Sequence, residues 1–448
     1  MSRHERFSLR SAEDLARKAG ALGLDLPYQS SIDPLFRPHR LADKLLPNRL
    51  TVHPMEGFDG LPDGSPGELT FRRYGRYAAG GSGLIWFEAT SVVPEGRSNP
   101  CQLMLHAGNL ATFRRLVDHI RETARHAFGR EHNPFLVLQL THSGRYSRPA
   151  GEPLPQVAAP NAILDRGREA GRVLSDEELA RLEDRFVDVA LLARDAGFDA
   201  VDIKACHGYL LHELLSSFER HTSRFGGVEL EDRLRFLTEV IETIRRQAPE
   251  LAVGCRLNLF DGLPHPQGFG VVRGSTLAID WCEPIDVVRR LALQGCTLIN
   301  VTMGIPYCNP HLGRPFDRPL PGAERPLEHP LEGVARLIAA ASKLQREFPD
   351  LTVVGTGYSW LRQFFPQVAA AVLDRGDATL IGLGRSSFAY PDAPKDLSET
   401  GRLDPGKVCV ACSGCTQLMR KGGPTGCVVR DREVYQLAQS DRKSSGHK

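Results

Sequence analysis

The sequence has almost no excess of charge of either sign and no long apolar run. Its 448 residues include 56 lysines and arginines against 54 aspartates and glutamates, a formal net charge of +2. A chain this close to neutral gives no electrostatic basis for binding nucleic acid or an anionic membrane surface. No stretch is long enough for a membrane-spanning helix, and the N-terminal MSRHERFSLRSAED lacks the apolar core of a signal peptide. These absences predict a cytoplasmic protein whose partners are small molecules.

Cysteine is also scarce, with ten residues in the whole chain. Cytosolic thiols are kept reduced, and a chain of this length with 41% hydrophobic residues can bury a core without covalent cross-links. A disulfide framework is therefore excluded, as is a disordered chain. Four of the ten fall within the last forty residues: Cys409, Cys412, Cys415 and Cys427.

Short apolar, β-branched runs recur from residue 49 to 385, with amphipathic helical patterns between most of them. This alternation is typical of parallel βαβ units, and eight strands favour a closed barrel. The predicted strands are 49–55, 83–92, 135–142, 200–206, 251–258, 297–303, 351–357 and 378–385. We therefore expect an α/β fold, a (β/α)8 TIM barrel, in three regions: an N-terminal lead-in (1–40), the barrel (41–392) and a C-terminal extension with the cysteine cluster (393–448).

The clearest helix begins after Ser175, where S-D-E-E predicts a capping box with Glu178, and it ends at Gly197. Further helices are predicted at 109–127, 229–247, 284–294, 332–347 and 359–375. Polar, Pro- and Gly-rich stretches follow the carboxyl ends of several predicted strands, at 57–68, 146–174, 260–280 and 304–331. In a barrel, active sites are built from loops at that face.

Five segments, in the correct order, resemble the motifs of the old yellow enzyme family, in particular the barrel half of bacterial 2,4-dienoyl-CoA reductases. The most specific is A-G-F-D-A-V-D-I-K-A-C-H-G-Y at 196–209, which continues to R-F-G-G-V-E-L-E-D-R-L-R-F at 224–236. The others are 46–55, 139–145, 307–311 and 376–385. The resemblance implies an FMN-dependent oxidoreductase that passes hydride from NADH or NADPH to an activated C=C of a small or acyl substrate.

The same resemblance implies a set of flavin contacts. Small residues and one arginine at the last two strands suit a phosphate: Gly355, Gly357, Gly384 and Arg385. Arg256 is expected at the flavin N1/O2 edge and Gln139 at the pyrimidine ring, while Pro54, Met55 and Ala89 would line the isoalloxazine. The alternative interpretation is that the glycines serve turns and Arg256 is a buried structural arginine.

Tyr209 matches the family's proton donor, and His207 fits as a donor to the substrate carbonyl oxygen. A packed core tyrosine is the alternative. Lys204 departs from the commoner histidine; it could stabilise an enolate or bind a substrate carboxylate. Glu56 stands where the family usually has threonine or cysteine at the flavin O4/N5 edge. A bare carboxylate there would oppose flavin reduction, which suggests the hypothesis that Glu56 pairs with Lys204.

The spacing C-x2-C-x2-C-x11-C at 409–427 resembles the iron–sulfur ligands of the same reductases, although the third cysteine stands one residue early. Closely spaced thiolates suit a [4Fe–4S] cluster better than zinc, and unligated thiols are the main alternative. The chain contains no G-x-G-x-x-G domain of the kind that feeds electrons to that cluster. A cluster would therefore imply a separate electron donor.

Two other functions remain open from the residues alone. One is an oxidative flavin enzyme, as in the related amine dehydrogenases and demethylases. The other is a non-redox barrel, an isomerase or lyase that binds a sugar phosphate at Gly384 and Arg385. A homo-oligomer is compatible with either.

Overall fold

A computed structural model describes residues 3–167, 171–275 and 278–436, and its centre is a closed ring of eight parallel strands. The ring closes because the second strand pairs with both the first and the third, with Leu84 opposite both Thr51 and Phe135. The prediction of a (β/α)8 barrel is confirmed. The strands are β1 (Leu50–Val52), β2 (Leu84–Trp86), β3 (Phe135–Thr141), β4 (Ala200–Ile203), β5 (Ala252–Asn258), β6 (Cys296–Thr302), β7 (Thr352–Gly355) and β8 (Leu380–Leu383).

One principal helix follows each strand of the barrel. They are α1 (Glu68–Ala79), α2 (Leu110–Phe128), α3 (Asp176–Ala196), α4 (Leu230–Gln247), α5 (Cys282–Leu293), α6 (Pro330–Glu347), α7 (Phe365–Asp374) and α8 (Ala393–Thr400). Other helices are Ala12–Ala21, Leu210–Leu215, Pro310–Gly313, Arg385–Ala389 and Gly414–Arg420, and a 3-10 stretch, Tyr358–Phe364, precedes α7. Short strands outside the barrel are His39–Leu41, Lys44–Leu46, Thr90–Ser91, Gln156–Val157 and Arg172–Val173.

Helix α3 shows why the sequence pattern predicted its ends. The Ser175 hydroxyl accepts a hydrogen bond from the Glu178 backbone N–H at 3.2 Å, and the Glu178 carboxylate accepts one from the Ser175 N–H at 2.9 Å. This reciprocal cap satisfies donors that the first turn would leave free. The helix ends at Gly197, whose φ of 94° is left-handed and favours glycine.

The amino end of the barrel is filled and closed. Apolar side chains from seven strands of the ring form one cluster inside it, and two leucines of the 39–46 hairpin complete this cluster: Leu41, Leu46, Leu84, Trp86, Phe135, Val137, Ala200, Ala252, Leu298, Val354 and Leu380. A packed interior leaves the carboxyl ends of the strands as the place for a site. None of the helices in the described ranges combines the length and the apolar character needed to cross a bilayer.

The chain on either side of the barrel packs back onto it. In the lead-in, the Phe7 ring lies 5.1 Å from that of Trp360. In the tail, Asp431 accepts hydrogen bonds from Arg72 and Arg76 of α1, and the Thr425 N–H donates to the Gly57 carbonyl at 2.7 Å. The boundaries at 40/41 and 392/393 remain predictions, and residues 437–448 of the extension lie outside the described residues.

Candidate functional site

A cavity of about 1150 Å³, part of it open to solvent, lies at the carboxyl ends of the strands. Its wall contains most of the residues that the motifs predicted, contributed by six different strands or the segments that follow them. They are Pro54, Met55, Glu56, Gln139, Lys204, His207, Tyr209, Arg256, Gly357, Gly384 and Arg385. The structure thus brings together side chains up to 331 positions apart in sequence, from Pro54 to Arg385.

The floor of the cavity is organised by the carboxylate of Asp202 on β4. It accepts hydrogen bonds from the Trp86 indole at 2.8 Å, the Gln139 amide at 2.5 Å and the Arg256 backbone N–H at 2.7 Å. Burial raises the pKa of Asp202 to about 6, and these donors oppose that rise. Because its NH2 group is held by Asp202, Gln139 has a fixed amide orientation in the cavity wall.

Two arginines of this cavity wall have a buried N–H with no hydrogen-bond partner in the described part of the chain. Arg256 donates through Nη1 to the Pro54 carbonyl at 3.3 Å, but its Nε has no acceptor. Arg385 donates through Nη2 to the Pro315 carbonyl at 2.6 Å, and its Nη1 has none. Six arginines elsewhere in the described residues also have a buried Nε without an acceptor, so it is the position of these two donors in the cavity wall that indicates a ligand as their acceptor.

Arg314 adds a third cation beside Arg385. Burial lowers the pKa of Arg314 to about 9, and repulsion from the Arg385 and Arg420 guanidinium groups adds to this. Cations that repel one another at such close range favour an anion between them. A ligand with a phosphate at Arg314 and Arg385 and an electron-rich ring edge at Arg256 would satisfy these groups. FMN has both features, so the residues fit this cofactor.

The other end of the cavity carries the predicted acid–base residues. The Lys204 ammonium lies 3.6 Å from the centre of the Tyr209 ring, and both residues are at most 5% exposed. The His207 Nε2 lies 3.2 Å from the Thr302 hydroxyl. Burial raises the pKa of Tyr209 well above its ordinary value, and Glu56 raises it further. The Tyr209 phenol therefore keeps its proton in the cavity wall.

The hypothesis of a Glu56–Lys204 ion pair is supported only in part. Both side chains reach the same cavity wall, and the charge of Lys204 lowers the pKa of Glu56, which burial raises. Yet the described residues contain no direct ion pair between them. Glu56 instead accepts a hydrogen bond from the Gln102 amide at 3.2 Å and lies within hydrogen-bonding reach of the Tyr209 phenol.

Two predicted flavin contacts are not in this wall as the structure describes it. Ala89 is buried, with its carbonyl accepting a hydrogen bond from Gln102 at 2.9 Å. Gly355 lies against the Tyr358 hydroxyl. Their roles stay predictions.

The wall also contains residues that sequence reasoning did not predict, and four of them bear on the site. Arg314 lies in a Pro- and Gly-rich stretch without periodicity, and Thr416, Met419 and Arg420 belong to the short helix in the tail. The Arg420 guanidinium stacks on Tyr307 at 3.9 Å and donates to the Pro306 carbonyl at 2.8 Å. No local motif predicts the three tail residues, because only the packing of the tail against the barrel brings them to the cavity.

The four tail cysteines converge on a smaller pocket that also contains Arg385, so this arginine lies between the cavity and the thiols. Burial raises the pKa of Cys409 to about 11, whereas Arg385 lowers it. Within the described ranges no three His, Cys, Asp or Glu side chains are arranged to share one metal ion. Cluster thiolates each bind their own iron and stand further apart than ligands of a single ion, so the convergence is compatible with a cluster.

Known proteins resemble this chain along most of its length. The NADH oxidase of Thermoanaerobacter brockii is 27% identical over 390 residues, which cover 85% of this chain and 53% of the relative. The dimethylamine dehydrogenase of Hyphomicrobium sp. (strain x) is 27% identical over 408 residues, covering 87% and 49%. The chain thus spans about half the length of these two relatives.

Among solved structures, a 2-naphthoyl-CoA reductase in complex with 2-naphthoyl-CoA superposes with a TM-score of 0.73. It is 20% identical, and the match covers 90% of this chain and 57% of the other, a likeness that shows the fold. The profile of the NADH:flavin oxidoreductase / NADH oxidase family matches residues 34–278, more than half of the chain. With that match, the old yellow enzyme resemblance is confirmed: the chain belongs to the NADH:flavin oxidoreductase / NADH oxidase family.

Proposed function

We propose that this protein is an ene-reductase that passes hydride from NADH or NADPH, by way of FMN, to an activated C=C of a small or acyl substrate. The assignment of the cofactors, FMN and a reduced nicotinamide, follows from membership of the family. One observation supports the reaction above all. The cavity has unpartnered guanidinium donors at one end and a buried, protonated phenol beside Lys204 and His207 at the other.

In this proposal the arginines hold the cofactor. Arg385 and Arg314 bind the phosphate, and Arg256 lies at the flavin edge where negative charge gathers on reduction. When bound, FMN supplies the exchange of hydride between the nicotinamide and the alkene. Gly357 and Gly384 leave room at the phosphate end, while Gln139 presents its amide to the ring.

The substrate end acts through protons and charge. Tyr209 holds a proton on its phenol oxygen and gives it to the substrate carbon next to the activating group. Lys204 and His207 hold the oxygen of that group, on which negative charge develops. Because Tyr209 and Lys204 are buried, water is largely excluded and these interactions are stronger than they would be in solution. A lysine here favours a strongly polarised carbonyl or a carboxylate-bearing substrate over a simple enone.

For the tail we propose that Cys409, Cys412, Cys415 and Cys427 hold a [4Fe–4S] cluster. The supporting observation is their convergence on one pocket with Arg385, beside the flavin cavity. Such a cluster would supply one-electron transfer, so a separate electron donor or acceptor protein belongs to the same proposal. A cytoplasmic location and a homo-oligomer remain predictions.

An oxidative flavin enzyme is the second candidate, because one relative that matches 87% of the chain is a dimethylamine dehydrogenase. The experiment mixes purified, flavin-loaded protein anaerobically with NADH or NADPH and then with an enone, an enoate or an amine. Bleaching of the flavin by the nicotinamide and its return with an alkene support the proposal. Bleaching by an amine alone would replace it with the oxidative reading, and colourless protein that contains no flavin would overturn both.

A further inference from the structure

Tyr209 needs a new proton after each turnover, and its surroundings restrict where that proton comes from. Only 4% of the residue is exposed, and its ring is covered on one side by the Lys204 ammonium. The groups that raise its pKa most are Glu56, Tyr307 and Cys206, and the carboxyl of Glu56 is the strongest acid of the three. The Lys204 ammonium is also an acid, but it lies over the face of the ring, whereas Glu56 lies within hydrogen-bonding reach of the phenol oxygen.

Glu56 is held in place by an amide of fixed orientation. The Gln102 side chain, 0% exposed, accepts the Ser98 backbone N–H on its oxygen at 2.6 Å, so its NH2 group must face the other way. That NH2 group donates to a carboxyl oxygen of Glu56 at 3.2 Å and to the Ala89 carbonyl at 2.9 Å. Gln102 therefore holds one oxygen of Glu56 and leaves the other for Tyr209.

Lys204 does not neutralise this carboxyl by a direct contact. Its ammonium lies over the Tyr209 ring instead, and the described chain contains no ion pair between it and Glu56. Burial raises the pKa of Glu56, while the charge of Lys204 and the bond to Tyr209 lower it. A carboxyl held by an amide and a phenol keeps its proton to higher pH than one paired with a cation.

We propose that Glu56 is a proton relay that restores the proton of Tyr209 between turnovers, with Gln102 as its positioning residue. In this step the O–H bond of the Glu56 carboxyl breaks and the O–H bond of the Tyr209 phenol forms. The carboxylate then takes a proton from water that enters as product leaves. Nothing is oxidised or reduced in the step. The inference rests on the proposed function, in which Tyr209 protonates the substrate.

The test compares the first turnover with later ones. Glu56→Gln keeps the size of the side chain but has no proton to give, so the first alkene reduction by pre-reduced enzyme, which uses the proton already on Tyr209, should be slowed far less than later turnovers. Steady-state turnover should then fall by roughly 10²-fold, the usual share of proton transfer, and show a burst of one product per active site. Glu56→Asp should recover part of the rate, and added formic acid should rescue Glu56→Ala.

A second variant and a spectrum separate a relay from a structural role. Glu183→Gln is the matched control, because burial also raises the pKa of that carboxyl, to about 8, but Glu183 lies on α3 outside the cavity wall. It should leave the pH profile of turnover unchanged, whereas Glu56→Gln should remove one ionisation from it. Infrared difference spectra recorded as the pH is raised through that ionisation should show the loss of one protonated carboxyl band in wild type, and this change should be missing in Glu56→Gln.

Equal losses in first and later turnovers, or no loss in either, would overturn the relay. Wild-type protein that binds flavin but never reduces an alkene would instead contradict the proposed function. The infrared band of Glu56, which needs no turnover, still tests its protonation in that case.

Discussion

At the scale of single residues, the most informative feature of the cavity is that Arg256 and Arg385 each have an N–H donor without an acceptor among the described residues. A buried N–H without an acceptor costs about 1–3 kcal/mol, and a ligand bound in the cavity would recover that cost for both arginines. The sequence could predict both arginines because each ends a recognisable strand motif. It could not predict Arg314, which becomes a neighbour of Arg385 only in the folded chain.

Replacing Arg385 by alanine tests the phosphate assignment. Hydrogen bonds to a charged group contribute about 1.5–3 kcal/mol, so FMN affinity should fall by roughly 10- to 100-fold. Titration of flavin-free protein with FMN, followed by flavin fluorescence, measures this. Arg375→Ala, at an exposed arginine near Asp25, is the control and should bind FMN normally. Unchanged affinity in Arg385→Ala would refute the assignment.

Tyr209→Phe tests proton delivery, since it keeps the ring under Lys204 and removes only the hydroxyl. Reduction of the flavin by nicotinamide should survive, because that half-reaction needs no proton from the phenol. Alkene reduction should slow by roughly 10²-fold or more already in the first turnover. Stopped-flow absorbance of the flavin measures the two half-reactions separately. A similar loss in both would mean that Tyr209 only packs the wall.

At the scale of elements, the eight strands and helices α2 to α7 could be predicted because apolar residues recur in them with the period of the element. Helix α1 was missed, and its composition explains why. It carries Arg72, Arg73 and Arg76, and Arg73 is buried against Asp59 and Glu88. Its buried face consists largely of Arg73 and two tyrosines, Tyr74 and Tyr77, in place of the aliphatic residues on which the prediction relied. The roles of the site residues remain predictions, because sequence position does not fix side-chain contacts.

Close approach of β8 to β1 can be tested at Gly382. A Cβ there would lie 2.1 Å from the His53 ring, which is held by the Thr356 hydroxyl at 3.0 Å and the Asn300 amide at 3.1 Å. Gly382→Ala should therefore lower the stability by about 1–3 kcal/mol, as overpacking does. Gly20→Ala, in a helix with nothing within 4 Å of the new methyl, should be neutral or slightly stabilising. Thermal unfolding followed by circular dichroism compares them, and equal melting temperatures would contradict the close approach.

At the scale of the whole molecule, the tail belongs to the site although it lies beyond the barrel in sequence. Its short helix brings Met419 and Arg420 to the cavity wall, and its cysteines share a pocket with Arg385. The spacing of the cysteines was visible in the sequence. Their closeness to the flavin cavity was not, because it depends on contacts between the tail and the barrel such as those of Asp431 with α1.

The cluster is tested by metal analysis of anaerobically purified protein. If the four tail cysteines hold [4Fe–4S], wild-type protein should contain about four irons per chain. Cys412→Ser should lose most of this iron, because thiolate is the ligand that iron–sulfur clusters require. Cys282→Ser is the matched control, since Cys282 is exposed and outside the tail. Flavin content, measured in parallel, shows whether the variant folds. Zinc in place of iron would contradict the cluster. Neither metal in wild-type protein would contradict it as well, and the four cysteines would then be free thiols beside Arg385.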